Sequence, residues 1–110
     1  MQELIRETTQ LVGNEYARAS SKFGPVHNSD HESAAVLCEE LEEVREELRE
    51  LSDNYLEFWN LVKSNADKQH KQRVLKRLKN KAVLAACEAI QVAAMAYKAE
   101  RTLFGEEEQI

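Results

Sequence analysis

Residues 37–62 read LCEELEEVREELRELSDNYLEFWNLV. Apolar side chains fall at Leu37, Leu41, Val44, Leu48, Leu51, Tyr55, Phe58 and Val62, and the spacing alternates four, three, four, three without a break. That is a heptad seam, an apolar stripe on a helix that must lie against another helix. Just upstream, Ser29-Asp30-His31-Glu32 has the form of a capping box, with Ser29 as N-cap and Glu32 three residues on. Cap and seam together predict one long helix over about 29–62, weakest at Ser52-Asp53-Asn54.

A second seam runs through Leu75, Leu78, Ala82, Ala85, Ala89, Val92, Ala96, Ala99 and Leu103, and predicts a helix over about 69–103. The polar stretch Ser64-Asn65-Ala66-Asp67-Lys68 between the two is a turn. Two heptad seams can be matched in several registers, and a turn this short selects one. About residue 66 the seams are mirror images, so that Leu41 meets Val92, Leu48 meets Ala85 and Tyr55 meets Leu78 in an antiparallel hairpin. Large residues early in the first helix then face small alanines late in the second.

Upstream, Ile5, Val12, Tyr16 and Ala19 mark the face of an N-terminal helix that stops before Phe23-Gly24-Pro25. The expected fold is an all-α helical bundle: a long antiparallel hairpin (about 29–62 and 69–103) plus an N-terminal helix over 1–22. It forms a single domain over 1–110, ending in a frayed tail at 105–110. Three helices, two of them long, bury little for 110 residues, so a homodimer or homotetramer is expected to complete the bundle.

Composition agrees. Charged residues make up 32 % of the chain and the hydrophobic set 43 %, which fits a globular protein and excludes a disordered one. Three Gly and one Pro are too few turn formers for a sandwich or barrel. Cys38 and Cys87 sit in apolar helical patterns without metal or redox spacing, and read as reduced core residues of a cytoplasmic protein. The N-terminus has no apolar stretch of signal-peptide type, and no run reaches membrane-spanning length without charge.

The net charge of −5 hides a division. Residues 30–57 hold eleven acids and two bases, net −9; residues 63–81 hold eight bases and one acid, net +7. The two blocks are expected to face each other in the hairpin. The basic stripe Lys68, Lys71, Arg73, Lys76, Arg77, Lys79 and Lys81 offers a nucleic-acid contact, but the overall acidity and the adjoining Glu block argue against it.

Residues 82–97, AVLAACEAIQVAAMAY, contain two polar side chains, Glu88 and Gln91. A helix apolar on nearly all sides is expected to be buried on nearly all sides, with Leu84 and Met95 covered by the first helix or by another chain. A carboxylate in such surroundings must be paired, protonated or bound to a metal. Most of the acidic run at 39–50 reads as a solvated face, Glu42, Glu46 and Glu50 above all. The hairpin register, however, brings Glu40 and Glu43 towards Glu88 and Gln91. Carboxylates converging in this way repel unless a cation lies between them, and hard oxygen donors suit Mg²⁺ or Mn²⁺.

At these residues the sequence resembles the MazG-like all-α nucleoside triphosphate pyrophosphohydrolases, in particular the short members encoded by phages and prophages. That family carries EExxE on one helix and ExxD on the antiparallel next one. Glu39-Glu40-Leu41-Glu42-Glu43 matches the first motif, and Glu88-Ala89-Ile90-Gln91 matches the second except at its last position. The resemblance spans about residues 23–104. Two departures stand out: a longer gap between the motifs, which the extended hairpin accounts for, and the amide of Gln91 in place of a carboxylate.

The resemblance implies hydrolysis of a nucleoside triphosphate to a monophosphate and pyrophosphate, with Mg²⁺ or Mn²⁺ as cofactor. Glu40, Glu43 and Glu88 are then metal ligands, Gln91 a weaker one, and Glu39 the group that orients or activates water. Lys79, Lys81 and His31 are the residues expected to meet substrate, and Trp59 chiefly packs. The rival expectation is a degenerate relative that keeps the bundle as a structural or regulatory interaction protein.

Overall fold

In the computed structural model, which describes residues 1–105, three α-helices follow in order: α1 Gln2–Phe23, α2 Asp30–Lys63 and α3 Lys68–Phe104. The described residues contain no strand, and the chain is an all-α helical bundle. The expected tail lies, from residue 106 on, outside the described residues.

Local chemistry fixes the helix ends. α1 stops where Gly24 takes φ of 91°, a left-handed angle that suits glycine, and its N–H bonds Ser20 O. α2 starts as the capping pattern predicts: the Ser29 hydroxyl accepts the Glu32 N–H at 3.1 Å. The reciprocal half of the box is replaced, because the Glu32 carboxylate accepts from the Asn28 amide at 2.9 Å instead. Asn65 turns the chain at φ 56°, and Asp67 caps α3 by accepting the His70 N–H at 2.7 Å.

The helices contribute to two compact units. The first comprises Met1–Leu41 with the chain from Glu88 onward. Its core is Ala19, Ala94 and Met95, against which Val12, Tyr16, Val36 and Leu37 pack. The Tyr16 and Tyr97 rings meet edge to face at 4.7 Å. Behind them the α1–α2 loop is tied down on both sides. Tyr16 Oη donates to Pro25 O at 2.8 Å, and His27 N–H donates to Thr102 Oγ1 at 2.9 Å. His27 and Lys98 are buried here, and the His27 ring bonds the Ser33 hydroxyl through Nδ1 at 2.7 Å. Met95, expected to be covered by the first helix or by another chain, belongs to this core, to which α1 contributes Ala19.

The second unit, Glu42–Cys87, is a helical hairpin. Its levels follow the turn as expected, and the acidic and basic blocks meet. Arg77 pairs with Glu57 at 3.1 Å, and Lys81 pairs with Glu47 at 3.3 Å and with Glu50. The facing sides differ from the expected seam. Val74 is fully buried and Ala85 nearly so, while Leu48, Tyr55 and Leu75 are exposed. Half-buried Glu47, Asn54 and Lys81 take the places expected for Leu48, Tyr55 and Ala82. Every second seam position has thus moved back by one residue, a rotation of both helices about their axes. In the first unit the same shift puts Met95 inside and leaves Ala96 exposed.

One further expectation is corrected. Cys38 and Cys87 form no disulfide, but they are exposed rather than core residues. In the single chain Val83, Leu84 and Tyr97 of α3 are exposed. By length and composition α3 also suffices to cross a membrane: an 18-residue window has mean hydropathy 1.3, and 22 % of it is buried.

The His27 environment sets a pH dependence. Burial lowers its pKa and the Lys98 charge lowers it further, while Glu32 acts in the opposite direction. Stability from the neutral ring is therefore present above the ordinary value of 6.5 and is lost as pH falls from there through the lowered value of the folded state. The urea midpoint is expected to drop between pH 7.5 and pH 5, and His27→Gln to remove most of that slope. An unchanged slope in the variant would place the titrating group elsewhere.

Candidate functional site

Glu40 and Glu88 come from the two motifs and meet inside the first unit. Glu40 lies on α2 and Glu88 on α3, both half-buried, with carboxylate oxygens within 4.8 Å of each other. Along α2, one turn on, the exposed Glu43 brings an oxygen within the same distance of Glu40. Three residues of separation place two side chains on one helix face, which is the reason an ExxE spacing presents its carboxylates together. Two ionised carboxylates at this separation repel by about 3 kcal/mol at an effective dielectric near 20. A shared proton or a cation relieves that repulsion. A set of hard carboxylate oxygens fits Mg²⁺ or Mn²⁺.

Gln91 lies one turn beyond Glu88 and is half-buried. Its amide nitrogen donates to Glu15 Oε1 on α1 at 2.7 Å. Glu15 in turn accepts from Arg18 Nε at 3.0 Å. Arg18 above all, with help from Gln91, holds the Glu15 carboxyl below the usual carboxylate range, against partial burial. An aspartate in place of Gln91 would set two carboxylates against each other. The amide at this position therefore has a structural reason in α1, which the hairpin motifs alone do not contain. Glu15 is the site neighbour that sequence reasoning missed; its one visible sign was a charge on the α1 turn preceding Tyr16.

The remaining candidates fall as follows. Glu39 is exposed on α2 beside Glu40, and His31 is exposed in the first turn of α2. Lys79 is exposed in the second unit. Lys81, expected to meet phosphate, is committed to carboxylates instead: Glu50 first and then Glu47 raise its pKa and hold its ammonium. Trp59 is exposed, with the Lys63 ammonium 5.5 Å from its ring centre, a cation–π contact within α2. Comparisons with protein-family models, with curated proteins and with solved structures found no match.

The Gln91–Glu15 contact is testable by a double-mutant cycle. Gln91→Asp in metal-free buffer is expected to destabilise the fold by about 1–3 kcal/mol, the usual cost of replacing a hydrogen bond to a charged group by a like charge. Glu15→Gln in the same background is expected to restore most of the loss. Additive effects in urea denaturation would show that the two side chains are uncoupled.

Proposed function

We propose that this chain is an Mg²⁺-dependent nucleoside triphosphate pyrophosphohydrolase of the MazG-like type. It would release a nucleoside monophosphate and pyrophosphate, and act in nucleotide-pool house-cleaning in the cytoplasm as a homodimer or homotetramer. The observation that supports this reading best is the approach of Glu40 and Glu88, one from each motif, within the same unit. The residues that would hold the cation are Glu40, Glu88 and, along the same face of α2, Glu43. A bound divalent ion supplies charge neutralisation for the triphosphate and its leaving group. Glu39 is exposed at the same level of α2, and its carboxylate is the group assigned to orient water and take its proton. Water oxygen bonds to phosphorus, the anhydride bond breaks, and pyrophosphate leaves. His31 and Lys79 are the exposed side chains assigned to substrate; Lys81 is released from that role by its carboxylate partners.

One observation favours a second reading, a degenerate member that serves as a structural or regulatory interaction protein. Gln91 gives its amide N–H to Glu15, and a neutral amide brings less charge to a divalent cation than the aspartate of the motif.

Pyrophosphate release from a panel of canonical and modified nucleoside triphosphates separates the two. Release that requires Mg²⁺ or Mn²⁺, and falls at least about a hundredfold in Glu40→Gln and in Glu88→Gln, supports the enzyme. Millimolar Mg²⁺ or Mn²⁺ should also raise the melting temperature of the wild type and not of Glu88→Gln. A folded protein with neither release nor a metal-dependent shift would leave the second reading in place.

A further inference from the structure

We infer that one face of the second unit binds single-stranded nucleic acid. The inference rests on how charge and aromatic rings are distributed about the hairpin, and not on the reaction proposed above.

Within this unit the helical acids all belong to α2, since α3 carries none between Lys68 and Cys87. At about 100° per residue, Glu46, Glu50, Asp53 and Glu57 fall along one side of α2, and Arg45, Arg49, Tyr55, Trp59 and Lys63 along the other. Two grooves of the unit follow this division. One, of about 460 Å³, is lined by Glu50, Asp53, Arg77 and Lys81 among others. The other, of about 580 Å³, is lined chiefly by Leu51, Tyr55, Leu56, Leu78 and Lys79, and by no acid. Lys79 also borders a hollow of about 360 Å³ with Gln72, Leu75 and Lys76, so the acid-free surface continues along α3 towards the turn.

The basic side chains of the two sides are in different states. Arg77 and Lys81 are held by Glu57, Glu47 and Glu50. Arg45, Arg49, Lys68, Lys76 and Lys79 are exposed, and among the described residues none of the five has a carboxylate partner. A surface with several unpaired cations and no anion attracts a polyanion. The net charge of −5 does not oppose this at close range. The acids of the unit lie across a helix about 10 Å wide, and physiological salt screens exposed charges beyond about 8 Å.

Aromatic rings select the polyanion. Tyr55 is 55 % exposed and Trp59 45 %, one helical turn apart on the basic side of α2. Rings offered to solvent among cations are a platform on which unpaired nucleobases stack while the phosphates follow the charge. A duplex keeps the faces of its nucleobases covered and leaves such rings unused. A bilayer surface is flat and meets the lysines at the rim before the leucines of the groove. A second copy docked through this same face by a two-fold axis sets lysine against lysine.

Fluorescence anisotropy of a labelled oligothymidylate, titrated with the full chain in EDTA at low salt, is expected to give a saturable curve. Between about 50 and 200 mM salt the affinity should fall with a log–log slope of about −3 or steeper, roughly 0.7 for each phosphate neutralised. Trp59 is the chain's one tryptophan, so its own fluorescence should be quenched as the strand binds. Lys76→Glu with Lys79→Glu should weaken binding by roughly a hundredfold. Trp59→Ala should weaken it by about five- to a hundredfold, the usual range for one stacked nucleobase, and Trp59→Phe should keep most of the affinity. Helical circular dichroism should be retained, because all three sites are exposed. If charge reversal disturbs it, Lys76→Gln with Lys79→Gln carries the test, with a loss of about tenfold. Asp53→Asn, on the other side of the hairpin, is expected to change binding by less than about twofold. A wild type that does not bind the oligonucleotide at low salt overturns the inference. So does binding that the lysine and tryptophan changes leave untouched, or a duplex of the same length bound as tightly as the single strand. Binding to phosphatidylserine vesicles without binding to the oligonucleotide would overturn it in favour of a membrane surface.

Discussion

Four residues at the turn decide what meets what in the second unit. Ser64 and Ala66 close back on α2 through N–H bonds to Asn60 O and Leu61 O, Asn65 takes the left-handed angle, and Asp67 opens α3 by capping it. With that length fixed, the levels on either side are fixed as well. Arg77 reaches Glu57, and Lys81 lies between Glu47 and Glu50, two acids one turn apart. Each exposed pair is worth little by itself. Their joint effect is selective: a turn one residue longer would rotate α3 by about 100° relative to α2 and put Arg73 where Val74 now sits.

The same geometry accounts for the polar character of the hairpin interface. A side chain's place on a helix is set by angle, and adjacent seam positions differ by tens of degrees. A small rotation of both helices is enough to bring Glu47, Asn54 and Lys81 half inside and to take Leu48 and Tyr55 half outside. The exchange is tolerable because Lys81 pairs with both Glu47 and Glu50, although Glu47 Oε2 is buried without a hydrogen bond. It leaves the hairpin with a narrow buried core, Val74 and Ala85, flanked by half-buried Val44, Leu51, Phe58 and Leu78.

Much of this architecture was legible in the sequence. Heptad spacing gave both long helices to within about a residue of their ends, because an apolar stripe has the same period as the backbone that carries it. Ser29 and Gly24 marked boundaries through local chemistry that needs no tertiary context. The approach of Glu40 and Glu88 followed from the length of the turn. Other features needed the third dimension. Spacing tells that a helix has an apolar face, but not the angle at which a neighbour meets it, so Leu48 and Tyr55 were placed in the hairpin interface that they only border. The cysteines misled for the same reason, since an apolar pattern on both flanks does not fix which side faces solvent. Glu15 and the His27–Ser33 pair were out of reach because each joins segments distant along the chain, and no local pattern records such a meeting.

The bond from Gln91 to Glu15 joins the acidic pair to a helix outside both motifs. Gln91 shares α3 with Glu88, and Glu15 shares α1 with Tyr16, whose hydroxyl holds the loop leading into α2. The chain's first helix is therefore held to α3 by a bond to a charged group as well as by packing. Its seating depends in part on Glu15 keeping its charge, on which the Gln91 amide and Arg18 both draw.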